Sequence, residues 1–170
     1  MEEKTLEILV VEDREENRIG AQQYFSKIAG TRVDFATNYN EGLQKLEEGL
    51  YAVGIFDLEL PRTEGDTPEE LGFMLGQEAQ RLAIPYSILT GGKNHGVSAT
   101  ITYPMGVERL SIVTRQNVDK TNPEAWKVAY ESILEAYPDV TAILAARERY
   151  KRFLGKSFRE GFMWRQKNER

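Results

Sequence analysis

Leu6-Glu7-Ile8-Leu9-Val10-Val11 runs straight into Glu12-Asp13. A short run of six residues, apolar except for Glu7 and half of them β-branched, ending in two carboxylates, reads as a strand buried on both faces, the kind found in parallel sheets. Working outward, the pattern repeats with helices between. From Arg14 to about Ala29, Ile19, Tyr24, Phe25 and Ile28 recur near helical spacing, and Gly30 closes the helix. Arg32 to Ala36 alternates as a second strand, and Asn40 is the expected N-cap of a helix through Leu43, Leu46 and Leu50. Tyr51 to Phe56 is a third strand, again running into an acid, Asp57. A Pro-, Gly- and charge-rich loop follows. A helix is then expected over about 68–82, with Leu71, Met74, Leu75 and Ala79 on one side. Pro85 to Leu89 is a fourth strand ending at Thr90-Gly91-Gly92. Ser111-Ile112-Val113 is the best fifth, and Pro123 to Ala136 a helix with proline in its first turn. A last helical stretch covers about 140–154. Strands alternating with helices imply βαβ units: one parallel sheet with helices on both faces.

The chain has 170 residues, enough for one such domain with an appendage. It has no cysteine, which excludes disulfides, thiolate metal sites and cysteine nucleophiles. The first residues do not follow the pattern of a signal peptide, and no apolar run is long enough to span a bilayer, so a cytoplasmic protein is expected. The net charge of −5 is uneven. Residues 147–170 carry nine Lys or Arg against three Glu, a net +6, which leaves −11 for the rest.

In sheets of this kind function gathers at the carboxyl ends of the strands. That rim would hold Glu12 and Asp13 after the first strand, Asp57 after the third, Thr90 after the fourth, and Lys120 beyond the fifth. Three close carboxylates repel one another, and a hard divalent cation relieves the repulsion. An all-oxygen donor set suits Mg2+, which keeps several waters and takes a further ligand from phosphate. A lysine ammonium and a hydroxyl can hold the remaining oxygens of a transferring phosphoryl group, and a central aspartate can accept it covalently. Each residue also has a plainer reading. Glu12-Asp13 could cap the following helix, Asp57 could bond its own loop, Thr90 could open a glycine turn, and Lys120 could be a solvated lysine. His95 is the one histidine and cannot make a metal site alone.

Ile8 to Asp13, Asp57 with Pro61 and Gly65 behind it, and Ile84-Pro85 leading through Ile88-Leu89 to Thr90 together resemble the receiver domain of two-component response regulators. The resemblance spans roughly residues 5–136. It implies a flavodoxin-like, doubly wound, five-stranded parallel sheet of order 2-1-3-4-5, to which the helical stretch over about 140–154 adds an extra C-terminal helix. It divides the chain into a receiver-like α/β domain, 1–137, and a helical basic extension, 138–170. It also implies Mg2+ held by Glu12, Asp13, Asp57 and the backbone carbonyl of Glu59, phosphorylation of Asp57, and a phosphoryl group ligated by Thr90 and Lys120. The donor would be a histidine kinase or phosphotransfer protein. The chain would act as a stand-alone receiver rather than an enzyme, with output through a partner. It departs from the family pattern in four places. Lys120 is followed by Thr121 rather than proline, and the span from Thr90 to Lys120 is long, so Lys93 is a rival for the lysine role. Asn117 stands where the switch aromatic is usual, with Tyr103 as a substitute, and the segment around Asp66 to Glu70 is lengthened.

Two other functions compete. A pseudo-receiver would keep the fold as a binding module and never be phosphorylated. A haloacid-dehalogenase-type phosphatase would use Asp57-Leu58-Glu59 as its acidic motif, and leaves Glu12-Asp13 unexplained. The basic end, with Tyr150, Phe153, Phe158, Phe162, Met163 and Trp164 among its cations, suits a helix packed on the acidic body or docked to a partner or second copy. A membrane surface is a further possibility, and nucleic acid ranks lowest.

Overall fold

The computed structural model describes residues 5–91, 113–115 (backbone only) and 118–149. The elements are β1 (Leu6–Val11), α1 (Glu15–Phe25), β2 (Thr31–Ala36), α2 (Tyr39–Glu48), β3 (Val53–Phe56), α3 (Gly72–Arg81), β4 (Tyr86–Leu89), β5 (Val113–Arg115) and α4 (Pro123–Ala136). A further helix, α5, covers 140–149. All strand pairings are parallel, in the order β2-β1-β3-β4 with the three-residue β5 outside β4. The parallel α/β architecture expected from the sequence is therefore present. The expected fifth strand differs: Val113 opens β5, while Ser111 and Ile112 lie outside the described residues.

The alternation of side chains along β1 builds two cores. Ile8 and Val10 point to one face with Ile55, Ala21, Phe25, Trp126 and Ile133. Leu9 and Val11 point to the other with Phe56, Leu46, Leu75 and Ile88. Thus α1 and α4 cover one face, and α2 and α3 the other. Helix α5 joins the first face, where Val140 and Leu144 are buried in the same cluster. Arg147 is buried as well, with Nη1 donating to the Tyr51 carbonyl at 2.5 Å.

Several sequence expectations need correction. The cap of α2 is Asn38, not Asn40; its side chain accepts from the Glu41 amide. Helix α2 ends at Glu48, leaving Leu50 exposed. Helix α3 starts at Gly72 rather than near Pro68. Met74 and Ile19 are exposed, though apolar periodicity put both on core faces. The buried face of α1 is Asn17, Gly20, Ala21 and Phe25, and that of α3 is Gly72, Leu75, Gly76 and Ala79. Both helices lie close to the body of the protein on small residues, and a hydropathy pattern does not register glycine as a packing position.

Because Leu144 sits in the main core, Leu144→Ala is expected to lower unfolding free energy by about 2–5 kcal/mol, the usual range for a buried leucine truncation. Urea unfolding with an unchanged midpoint would show instead that α5 is only loosely attached.

Candidate functional site

The register of the sheet places the acids. Val11 pairs with Phe56, so Glu12 and Asp57 leave adjacent strands side by side. The Asp57 amide donates to the Val11 carbonyl at 2.8 Å, and the Glu12 amide to the Ala36 carbonyl at 3.0 Å. Carboxylate oxygens of Glu12, Asp13 and Asp57 all lie within 4.8 Å of one another. Thr90 follows β4, and Gly91 comes next to it on the same rim. Lys120 reaches in from the loop before α4. Its Nζ lies 2.5 Å from Glu12 Oε2 and 2.7 Å from Asp57 Oδ2.

These groups are buried to very different degrees from ordinary charged side chains. Glu12 is 0% exposed, Lys120 5% and Asp57 7%. Asp13, Asp57, Glu59, Thr90 and Lys120 line one cleft of about 360 Å³, closed on its other sides by Arg14, Asn17 and Pro68, among others. Sequence reasoning thus named residues that the fold does bring together. Lys93, Asn117, Tyr103 and His95 lie outside the described residues, as do the aromatic residues of the basic end from Tyr150 onward.

Three residues that sequence reasoning missed support the site. Asn17, on the inner face of α1, donates from Nδ2 to Glu12 Oε1 at 2.9 Å. Arg18 donates from Nη1 to the carbonyls of Glu12 (2.8 Å) and Asp13 (2.7 Å), which fixes the acidic turn. Gly72 lies directly against Asp57: a Cβ there would come 1.8 Å from the Asp57 carbonyl oxygen. Gly65, whose spacing from Asp57 suggested a role, has φ +87° and nothing within 4 Å of its Cβ position, so it is a turn glycine. The segment between them is a closed loop. Leu60 and Glu69 exchange backbone hydrogen bonds, and the Gly72 amide donates to the Leu58 carbonyl. The segment around Asp66 to Glu70, read from the sequence as lengthened, lies within this loop.

Burial, first, and the Asp57 carboxylate, second, push Glu12 up to about 7, against the opposing pull of Lys120 and Asn17. Burial also raises Asp57; Lys120 opposes it, and Asp13 adds to it. One ammonium therefore does not balance the buried carboxylates. The site has the character of a cation receptor: hard oxygen donors, excess negative charge and no sulfur ligand. The residues fit Mg2+, with the three carboxylates as ligands and room for water and a phosphate oxygen in the cleft.

Two outcomes follow from this geometry. Glu12 titrates higher in the fold than its ordinary value of 4.5. The folded state then holds an extra proton between the two values, so Glu12's contribution to stability falls as pH rises from 4.5 toward about 7. Denaturation in a chelator at a series of pH values should show that slope, and Glu12→Gln should flatten it. An identical slope in the variant would place the charge strain elsewhere. Gly72→Ala should destabilise by at least the ~1–3 kcal/mol typical of overpacking, with loss of cation binding; a variant as stable as the parent would mean that α3 moves freely off the acceptor strand.

No protein-family model matches the chain, and no curated protein matches it. Solved structures do. A CheY-like response regulator receiver domain protein from Methanospirillum hungatei JF-1 superposes with a TM-score of 0.57 at 19% identity, covering 80% of this chain and 99% of that one. The response regulator TrrA from Thermotoga maritima, in complex with Mg(2+)-BeF, gives 0.52 at 22% identity, covering 76% and 100%. The signal receiver domain of the response regulator NarL from Mycobacterium tuberculosis gives 0.54 at 12%, covering 76% and 97%. At these identities what is shared is architecture. This chain has the fold of the CheY-like receiver domains of response regulators.

Proposed function

We propose that the chain is a response-regulator receiver that takes a phosphoryl group on Asp57 in a Mg2+-dependent reaction and passes the signal to a protein partner. The observation that carries this reading is the joint placement of Glu12, Asp13 and Asp57 within 4.8 Å, with the Lys120 ammonium 2.7 Å from the Asp57 carboxylate, in one cleft. A bound Mg2+ would neutralise charge between Asp57 and the incoming phosphoryl oxygens.

The chain's own residues supply the rest. An Asp57 carboxylate oxygen attacks phosphorus and forms an acyl phosphate. The bond from phosphorus to the donor breaks, and its electron pair leaves with the donor. Glu12 and Asp13 hold the cation side of the cleft. Lys120 exchanges its pairing with Asp57 for an oxygen of the transferred group, and Thr90, buried at 2% exposure on the same cleft, faces that group from the end of β4. Solvent entering the same cleft would hydrolyse the acyl phosphate and reset the protein. The donor class is a phosphohistidine protein, with small acyl phosphates as simple substitutes. Among the described residues no helix is long and apolar enough to cross a membrane.

The phosphatase alternative would give the second acidic role to Glu59. Glu59 is an exposed wall of the cleft, whereas the acid beside Asp57 is Glu12, and this arrangement favours the receiver. The pseudo-receiver alternative is weakened by the burial of charges that a mere binding module would not need.

Incubation with acetyl phosphate and Mg2+, read by intact mass, should give a single phosphoryl adduct. The adduct should vanish in a chelator and in Asp57→Asn. A folded protein that forms no adduct under any of these conditions would overturn the reading in favour of the pseudo-receiver.

A further inference from the structure

The lysine of the site stands on an unusual support. Lys120 is followed by Thr121-Asn122, and its side chain, 5% exposed, carries an ammonium to the buried acids from a loop. Loops are ordinarily the mobile part of such a fold, yet here the main chain at Lys120 is gripped from both sides. From α4, the buried indole of Trp126 donates Nε1–H to the Lys120 carbonyl at 2.7 Å. From α1, Gly20 lies so close that a Cβ there would be 2.5 Å from the Lys120 carbonyl oxygen and 2.8 Å from that of Thr121. The next residues are also fixed. Thr121 donates from its amide and hydroxyl to Asp119 Oδ1, and the Asn122 side chain caps α4 by accepting from the Glu124 amide. On the cleft side, Val118 donates to the Thr90 carbonyl at 3.4 Å.

We propose that Trp126 and Gly20 are positioning residues for Lys120: the indole N–H and the missing Cβ together clamp its carbonyl and so aim its ammonium at Asp57. The clamp deepens the receiver reading and rests on Lys120 as the phosphoryl-binding amine. Trp126 touches no reacting atom and acts through the backbone of Lys120. A purely apolar role would be served as well by any large ring. The hydrogen bond to the Lys120 carbonyl, itself buried, sets the tryptophan apart, because a buried carbonyl left without its donor becomes costly and the loop must move to satisfy it.

Trp126→Phe keeps an aromatic ring in the core but removes the N–H together with the second ring of the indole. The readout is the rate at which a trace amine reagent, acetic anhydride, labels Lys120 in the whole chain, scored by peptide mass against Lys127, whose side chain is 41% exposed. Loss of the clamp should raise relative labelling of Lys120 about tenfold, the factor that a typical buried hydrogen bond is worth. The rate of Asp57 phosphorylation at saturating acetyl phosphate should fall by a similar factor, with half-saturation little changed. Unchanged labelling in a folded variant overturns the proposal. A wild-type chain that forms no adduct would sink the receiver chemistry alone, since labelling still judges the clamp. If the phenylalanine variant does not fold, Trp164→Phe leaves Trp126 as the sole indole. Its N–H should exchange slowly and shift when Mg2+ is added. A freely exchanging N–H, or one that stays still while Mg2+ moves the Glu12 and Asp13 amides, counts against the clamp.

Discussion

Two carboxylates and one ammonium are packed together with almost no exposed surface. Glu12, Asp57 and Lys120 are each 7% exposed or less, and Lys120 touches both acids. Taking these charges out of water costs several kcal/mol per ion, and a pairing in which negative charge exceeds positive does not fully offset it. Replacing the trio with apolar residues of similar volume would be neutral or stabilising in many proteins. The rest of the domain behaves as a frame that tolerates this arrangement. Parallel register sets Glu12 beside Asp57, backbone amides tie each strand end to its neighbour, and the helices fix the turns from behind. The negative excess, which burial turns into a raised Glu12, is also what a divalent cation would relieve.

The frame explains what the sequence could and could not reveal. Strands buried on both faces leave continuous apolar runs, so β1, β3 and β4 are legible, and the acid or hydroxyl that ends each run is legible with them. The site is therefore unusually readable, because its chemistry sits at strand ends. Helix faces are less so. Ile19 and Met74 fit the apolar period yet face solvent, while Gly20 and Gly72 make the close approaches. A residue chosen for lacking a side chain gives no hydropathy signal. The lengthened segment around Asp66 to Glu70 is legible, but the packing role of Gly72 beyond it is not. Gly65 is a turn glycine with positive φ, and Gly72 packs against the Asp57 main chain seven residues later.

Lys120 shows the other limit. Its role could be guessed from its place after the fifth strand, but nothing local says why a lysine in that loop should be held. The reason is long-range: an indole six residues on and a glycine a hundred residues back meet at one carbonyl. Only tertiary structure can put those three together.

The inserted loop after Asp57 ties the cleft to a second part of the surface. Its first residues feed α2: the Pro61 and Arg62 carbonyls accept from the Tyr39 and Asn40 amides, and the Arg62 guanidinium lies over the Tyr39 ring. Those amides belong to the first turn of a helix, where donors have no partner within the helix, so the loop satisfies them in place of water. Its last residues return through the Leu60–Glu69 bridge to Pro68 on the cleft wall and Gly72 on the acceptor backbone. One continuous segment thus touches Asp57, the cleft and the start of α2. Any shift of the Asp57 backbone must be absorbed there, because α3 has no slack at Gly72. That segment joins the Asp57 main chain to the first turn of α2 through consecutive backbone contacts.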